Sequence, residues 1–413
     1  MMNTFRCVCI LFAVLCAALP QRLAAETWGS PEVPVREYTL MIGTSEDLNM
    51  VASLGVNAYR ALTDLYYLGL RPAVPQKLEP VIGALWQTGC SFFLTIWPHE
   101  FGHWTRAREV GGEFVFERLT FPWPKARMDL PDDVSLFSET LTSVGGFEIN
   151  NLMRRQIMTD YYGKGYSFAT LPIHAFIQEI YYPAYAYIVA PLVSGKWIDP
   201  EDPDTWIHTM GDPVESSLGV YKNYYDRSVP LSGEPVDPDL VSYYREARTL
   251  SLLWMLIDPG LYESARAFGV GMDENAGLVR PFMFGKGDVS WIYGTMFNAS
   301  PLGYELYLDQ HFRVKGNYFS ISLRYGRPYD NYGLSIRMPS FYRSEVISLG
   351  AETGYWYQGP FGHGVMGEMN FSFRSKGILG ATLTAGWKSG GYLLGLPIEK
   401  GAYVRGGFVF RTH

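Results

Sequence analysis

Cysteine is almost missing from the body of this 413-residue chain: Cys7, Cys9 and Cys16 crowd the first 16 residues, and only Cys90 lies beyond them. An intrachain disulfide framework is therefore excluded once such an N-terminal stretch is removed. Positive charge is also short. The 34 Lys and Arg residues stand against 41 Asp and Glu, a net charge of −7, so the basic footprint of a nucleic-acid binder is absent and no such partner is expected. No phosphate loop, dinucleotide fingerprint or serine nucleophile elbow occurs. What is abundant is apolar and aromatic: 47% hydrophobic, 15% aromatic, with 29 tyrosines. That composition excludes a disordered chain, and the length allows two or three domains.

Residues 1–25 read as a secretory signal peptide. Arg6 supplies the positive region, Cys7–Leu19 a short apolar stretch, and Leu23-Ala24-Ala25 a small-residue cleavage site. A polar lead-in segment, 26–46, follows. Residues 47–195 form a helical core region, 196–240 a Pro- and Asp-rich loop, and 241–280 a helical segment that completes the core. Two stretches are unusually apolar. Val81–Trp97 has no charged side chain, and Phe168–Val193 has only Glu179. Both approach the roughly 20 residues that span a bilayer, so a membrane-embedded bundle with lipid as a partner is expected.

From about 285 to 413 the period changes to two. Phe319, Ile321, Leu323 and Tyr325 alternate with Ser320, Ser322 and Arg324, and Leu379–Trp387 and Ala402–Phe410 behave alike. Such alternation predicts about seven half-buried antiparallel strands. The same pattern describes a soluble antiparallel barrel or sandwich, or an outer-membrane barrel with apolar residues outside. The fold class expected is α+β: a helical, membrane-embedded zincin-type bundle followed by an antiparallel, barrel-like β domain. The two membrane readings conflict, because spanning helices belong to an inner membrane and a spanning barrel to an outer one. The location is therefore a cell-envelope membrane, inner or outer left open.

The chemistry concentrates at Pro98-His99-Glu100-Phe101-Gly102-His103-Trp104. Residues i and i+4 share one face of a helix, so both imidazoles can reach a single zinc ion, Zn2+. Glu100 then stands beside the metal-bound water as general base for hydrolysis of a polypeptide substrate. Of seven histidines, two fall here at ligand spacing. His174 and Glu179, five apart in an apolar stretch, read as a buried structural pair. His208, His311, His363 and His413 read as surface or loop residues.

The run His99-Glu100-x-Gly102-His103 followed by Ala107-Arg108 and Gly111 resembles the site-2 protease family of intramembrane metallopeptidases. The resemblance covers a short part of the chain. It implies that Gly146-Phe147-Glu148-Ile149-Asn150, in which Pro is replaced, is a substrate-positioning element, with Asn150 in the catalytic apparatus. It also implies that Asp258, in Leu256-Ile257-Asp258-Pro259-Gly260, is the third metal ligand. A capping role at the helix opened by Pro259 is the alternative for Asp258. In the other large zincin class the third ligand is a downstream Glu, for which Glu148 and Glu139 are candidates. The expected function is thus a zinc metalloendopeptidase of the envelope. The alternative is a non-enzymatic outer-membrane-type barrel whose helical insert holds a structural metal.

Overall fold

A computed structural model describes residues 36–43, 47–118, 125–165, 167–168, 170–189, 216–217, 219–221, 224, 238–271, 278–286, 288–374 and 379–412. The leader, most of the lead-in, most of the loop over 196–240, His208 and His413 lie outside them. The architecture is α+β, a helical N-terminal part with a large C-terminal antiparallel sheet.

The helices are α1 (Leu48–Asp64), α2 (Glu79–Glu109), α3 (Leu136–Lys164), α4 (Thr170–Ala184), α5 (Pro238–Leu256) and α6 (Pro259–Gly271). Their ends follow local chemistry. Asp47 accepts from the Asn49 amide at 3.0 Å and Ser135 from the Ser138 amide at 3.1 Å, satisfying orphan donors at the starts of α1 and α3. Gly111, at φ +78°, and Gly165, at φ +74°, turn the chain left-handed after α2 and α3. No helix among the described residues is long and apolar enough to cross a membrane, which corrects the expectation for Val81–Trp97 and Phe168–Val193. Gln87, Ser91 and Thr95 dilute the first, and the second leaves α-helical geometry after Ala184, next to Pro183.

Among the described residues the main sheet has ten strands. They are β1 (Arg36–Ile42), the short β6 (Phe284–Lys286) and eight long strands: β7 (Val289–Ser300), β8 (Gly303–Val314), β9 (Asn317–Pro328), β10 (Asn331–Arg343), β11 (Ile347–Gln358), β12 (Gly362–Arg374), β13 (Leu379–Lys388) and β14 (Gly401–Thr412). Strands β6 to β14 run in sequence order, and β1 adds beside β14, with Thr39 opposite Val409. The lead-in segment thus contributes a strand to the C-terminal sheet. Two short hairpins or ribbons lie apart, β2 (Glu113–Arg118) with β3 (Lys125–Asp129) and β4 (Ser167–Phe168) with β5 (Leu278–Val279).

Among the described residues the sheet is not closed strand to strand: β1 and β6 are its edges. Helix side chains cover the open backbone instead. On β1, the Thr39 amide donates to Asn57 Oδ1 at 2.9 Å, and its carbonyl accepts from Asn57 Nδ2 and Ser53 Oγ, both on α1. Beyond the reach of β6, the Thr295 amide of β7 donates to Asp258 Oδ1 at 2.9 Å, and the Phe297 carbonyl accepts from Asn151 Nδ2. An unpaired strand edge is a liability that these bonds remove.

The sheet turns polar side chains inward and many apolar ones outward. On β9, Ser320, Ser322 and Arg324 are buried, while Leu323 and Tyr325 are exposed. Polar groups on this face pair: half-buried Arg337 with buried Glu352 at 2.5 Å, and buried Arg405 with Glu368 at 3.0 Å and with Asp47. They face a polar cavity of about 370 Å³ that also touches Asn49 of α1 and Leu152 and Arg155 of α3. The apolar core lies between α1, α3, α4 and the β7–β9 end of the sheet, where Tyr59, Ile149, Met153, Tyr161, Met296 and Tyr307 are buried together. His311, expected at the surface, is 4% exposed and bonded to Tyr318 at 2.7 Å. It points to the polar inner face, which local periodicity does not distinguish from an exposed one.

Candidate metal centre

Helices α2 and α3 cross at glycines. A Cβ on Gly102 would overlap the Gly145 carbonyl, and one on Gly145 the Gly102 carbonyl. This contact lets the α2 histidines reach the α3 backbone. Gly146 is equally constrained, since a Cβ there would enter the His99 ring. His99 and His103 are 1% and 4% exposed, while Glu100 is half-buried on the same turn.

Each imidazole is held through Nδ1. His103 Nδ1 lies 2.7 Å from the Thr142 carbonyl oxygen. A carbonyl only accepts, so this nitrogen carries the hydrogen and Nε2 the lone pair in the neutral ring. For His99 the orientation is relayed from the backbone. Thr95 Oγ1 donates to the Ser91 carbonyl at 2.7 Å and accepts from Gln178 Nε2 at 2.7 Å. Gln178 therefore turns its oxygen to Asn150 Nδ2, at 2.6 Å, and Asn150 turns its Oδ1 to His99 Nδ1, at 2.9 Å. Both Nε2 atoms then converge, 3.1 Å apart. Two lone pairs at that separation repel unless a cation, proton or metal ion, lies between them. Two nitrogens bound to one tetrahedral zinc, about 2.0–2.1 Å each, stand about 3.3 Å apart. The donor set of the two imidazoles therefore fits a metal ion. Tyr181 and Phe147 pack edge-on against the His99 ring.

The carboxylates behave otherwise. Among the described residues no group of three or more His, Cys, Asp or Glu is placed to hold a metal. Glu148, fully buried, is gripped by Arg106, Nε to Oε2 at 2.6 Å and Nη2 to Oε1 at 2.8 Å, and accepts from Tyr392 at 2.6 Å. Burial raises the Glu148 pKa, and Arg106 and Tyr392 oppose that. Burial also works against the Arg106 charge, but Glu148 and Glu109 more than offset it and hold the guanidinium protonated. Asp258 pairs with Arg154 and caps the β7 edge. Glu139 is exposed in the first turn of α3.

His174 and Glu179 do not pair with each other. His174 bonds Ser91 at 2.7 Å and stacks on Tyr59 at 4.1 Å, and burial pulls its pKa down to about 3. Glu179 joins Arg154 at 3.1 Å beside Asp258, and burial raises its carboxyl well above the usual range.

Two groups escaped the sequence reading. Arg106, three residues after His103, is a fully buried cation that pairs with Glu109 and, bidentately, with Glu148, 42 positions away. Gln178 completes the relay behind His99. Neither leaves a local signal beyond a polar residue in an apolar helix. No family model matches the chain, and neither the curated proteins nor the solved structures contain a match.

Proposed function

We propose that the protein is a zinc-dependent peptidase, with His99 and His103 as metal ligands through Nε2 and Glu100 as general base. The observation that carries this reading is the convergence of two Nε2 lone pairs, each enforced by an acceptor behind Nδ1. A metal-ligating histidine commonly donates its other ring hydrogen to such an acceptor, which fixes tautomer and orientation. When bound, zinc would polarise a carbonyl and lower the pKa of its water.

The chain's own residues do the rest. Asn150 acts behind His99 as an orienting group and does not need to touch substrate. Glu100, one residue past His99, takes a proton from the attacking water and returns it to the leaving amine. Glu148 and Asp258 serve Arg106 and Arg154, so the remaining positions around the metal are open to water and substrate in this reading.

Metal analysis of the purified protein, with Glu100→Gln beside it, tests the proposal. About one zinc per chain is expected in both, with hydrolysis of a quenched-fluorophore peptide library lost only in the variant. Removing a general base costs roughly 10²–10⁴-fold in rate. A metal-free parent would end the reading. Burial of both imidazoles favours a second possibility, a structural metal without hydrolysis. In that case zinc is bound but neither protein cleaves any member of the library.

A further inference from the structure

We infer that the outward face of β8–β14 and β1 is a lipid-contacting surface, and that this sheet sits in a bilayer with its polar face turned in toward the helices. The inference is independent of the metal reading.

The composition of the outward positions carries it. One hydrogen-bonded row crosses five strands as Leu308, Leu323, Leu334, Tyr355 and Val365. Another runs Leu349, Phe371, Leu383, Gly406 and Ile42. A third runs Ile347, Phe373, Ala381, Phe408 and Leu40. None contains a charge. The side chains are open to the surroundings: Met369 is 52% exposed, Phe408 53% and Val404 58%. On the same strands the charged residues Arg324, Glu352, Glu368, Lys388 and Arg405 are buried. Burying ionic groups while exposing Leu, Phe and Val raises the free energy of a sheet in water and lowers it in hydrocarbon.

Size and shape point the same way. Eight strands about 4.8 Å apart make a band roughly 35 Å wide, and at a tilted strand height of roughly 28 Å its outer face covers on the order of 1,000 Å², beyond the few hundred Å² of apolar patch that monomers in water expose. Strands of 12 or 13 residues are typical here. Twelve residues reach about 40 Å, or about 28 Å when tilted 45°, close to the roughly 30 Å hydrocarbon core. Near one end, Tyr325, Tyr332, Tyr357 and His363 form a continuous row, the position of an interfacial aromatic girdle.

A second copy of the chain is a poorer occupant. Thr39, Ser322, Ser335, Glu352, Glu368 and Thr384, from six different strands, line one cavity with Arg405 of β14. The sheet therefore curves around that cavity, and its outer face looks in directions that one flat partner cannot cover. Open strand edges are costly in lipid, and here Thr39, Thr295 and Phe297 are bonded by Asn57, Ser53, Asp258 and Asn151.

The test is depth-resolved quenching in the full chain, its other cysteines replaced by serine. Leu383→Cys and Met369→Cys point outward; Thr384→Cys and Asn370→Cys, their chain neighbours, point inward. Each is labelled with a small fluorophore and placed in phosphatidylcholine–phosphatidylglycerol vesicles carrying brominated acyl chains. Strong quenching is expected at the first pair and little at the second. Circular dichroism in dodecyl maltoside identifies any variant that has not folded, and the two strands serve as replicates. Equal quenching at neighbouring sites would overturn the inference. So would a parent protein that stays soluble and monodisperse without detergent and leaves the vesicles untouched, as a self-associating sheet face would.

Discussion

Asn150 Oδ1 stands 2.9 Å from His99 Nδ1, and that single contact decides which nitrogen of His99 looks toward His103. It couples a residue on α3 to the metal-binding face of α2 through a relay anchored on the Ser91 carbonyl. Asn150→Ala should therefore release the ring without removing a ligand. Zinc affinity is expected to fall about 10–100-fold, the usual cost of an outer-shell partner. Chelator competition measures it, and unchanged affinity would show that Asn150 does not orient the ring.

Gly146 and Gly102 set how closely the two helices approach. Gly146→Ala puts a methyl into the His99 ring, so it should displace the ligand and cost about 1–3 kcal/mol from overpacking. Gly89, with open space around its Cβ position on the facing helix α2, is the control. Gly89→Ala should leave metal content unchanged and, from helix propensity, add up to about 1 kcal/mol of stability. Thermal unfolding and zinc content of the two variants check this together.

The fully buried pair of Arg106 and Glu148 should be worth more as a pair than either member alone suggests. Arg106→Met leaves an uncompensated buried carboxyl, with an expected cost of about 3–5 kcal/mol. Adding Glu148→Gln should return part of that loss. Denaturant titration of the single and double variants gives the coupling, and additive losses would contradict it.

Glu148 and Asp258 can be separated from the ligand set directly. Because each is committed to an arginine, Glu148→Ala and Asp258→Ala should lose stability yet retain zinc per folded chain. If either variant binds no zinc while its circular dichroism is native, that carboxylate is a ligand.

His174 should make the helical part sensitive to acid. Its folded pKa is lowered to about 3 by burial, against 6.5 unfolded. Above pH 6.5 it is neutral in both states and contributes no pH dependence. Below that, the unfolded chain binds a proton that the folded one refuses, so stability falls as pH drops from 6.5 toward 3. Between pH 7 and 5 the loss from this group is on the order of 2 kcal/mol. In His174→Gln that part of the slope should vanish, as denaturant titrations at several pH values would reveal.

The sequence by itself determined the helical character of the N-terminal part, the period-two strands of the C-terminal part and the placing of His99, Glu100 and His103 on one helical turn. These are local properties, set by side-chain spacing over a few residues. Only the tertiary structure decided which face of each strand looks inward, because alternation is the same for a soluble sheet and an inverted one. It also decided that Arg36–Ile42 joins the last strand, that Asp258 seals the β7 edge, and that Glu148 belongs to Arg106. Those pairings span from 37 to over 370 positions of sequence, where no local pattern carries the information. The two imidazoles could be read from their spacing. That their Nε2 lone pairs converge depends on Thr142 and Asn150 of α3, brought there by the contact of Gly102 with Gly145, and on Gln178 of α4.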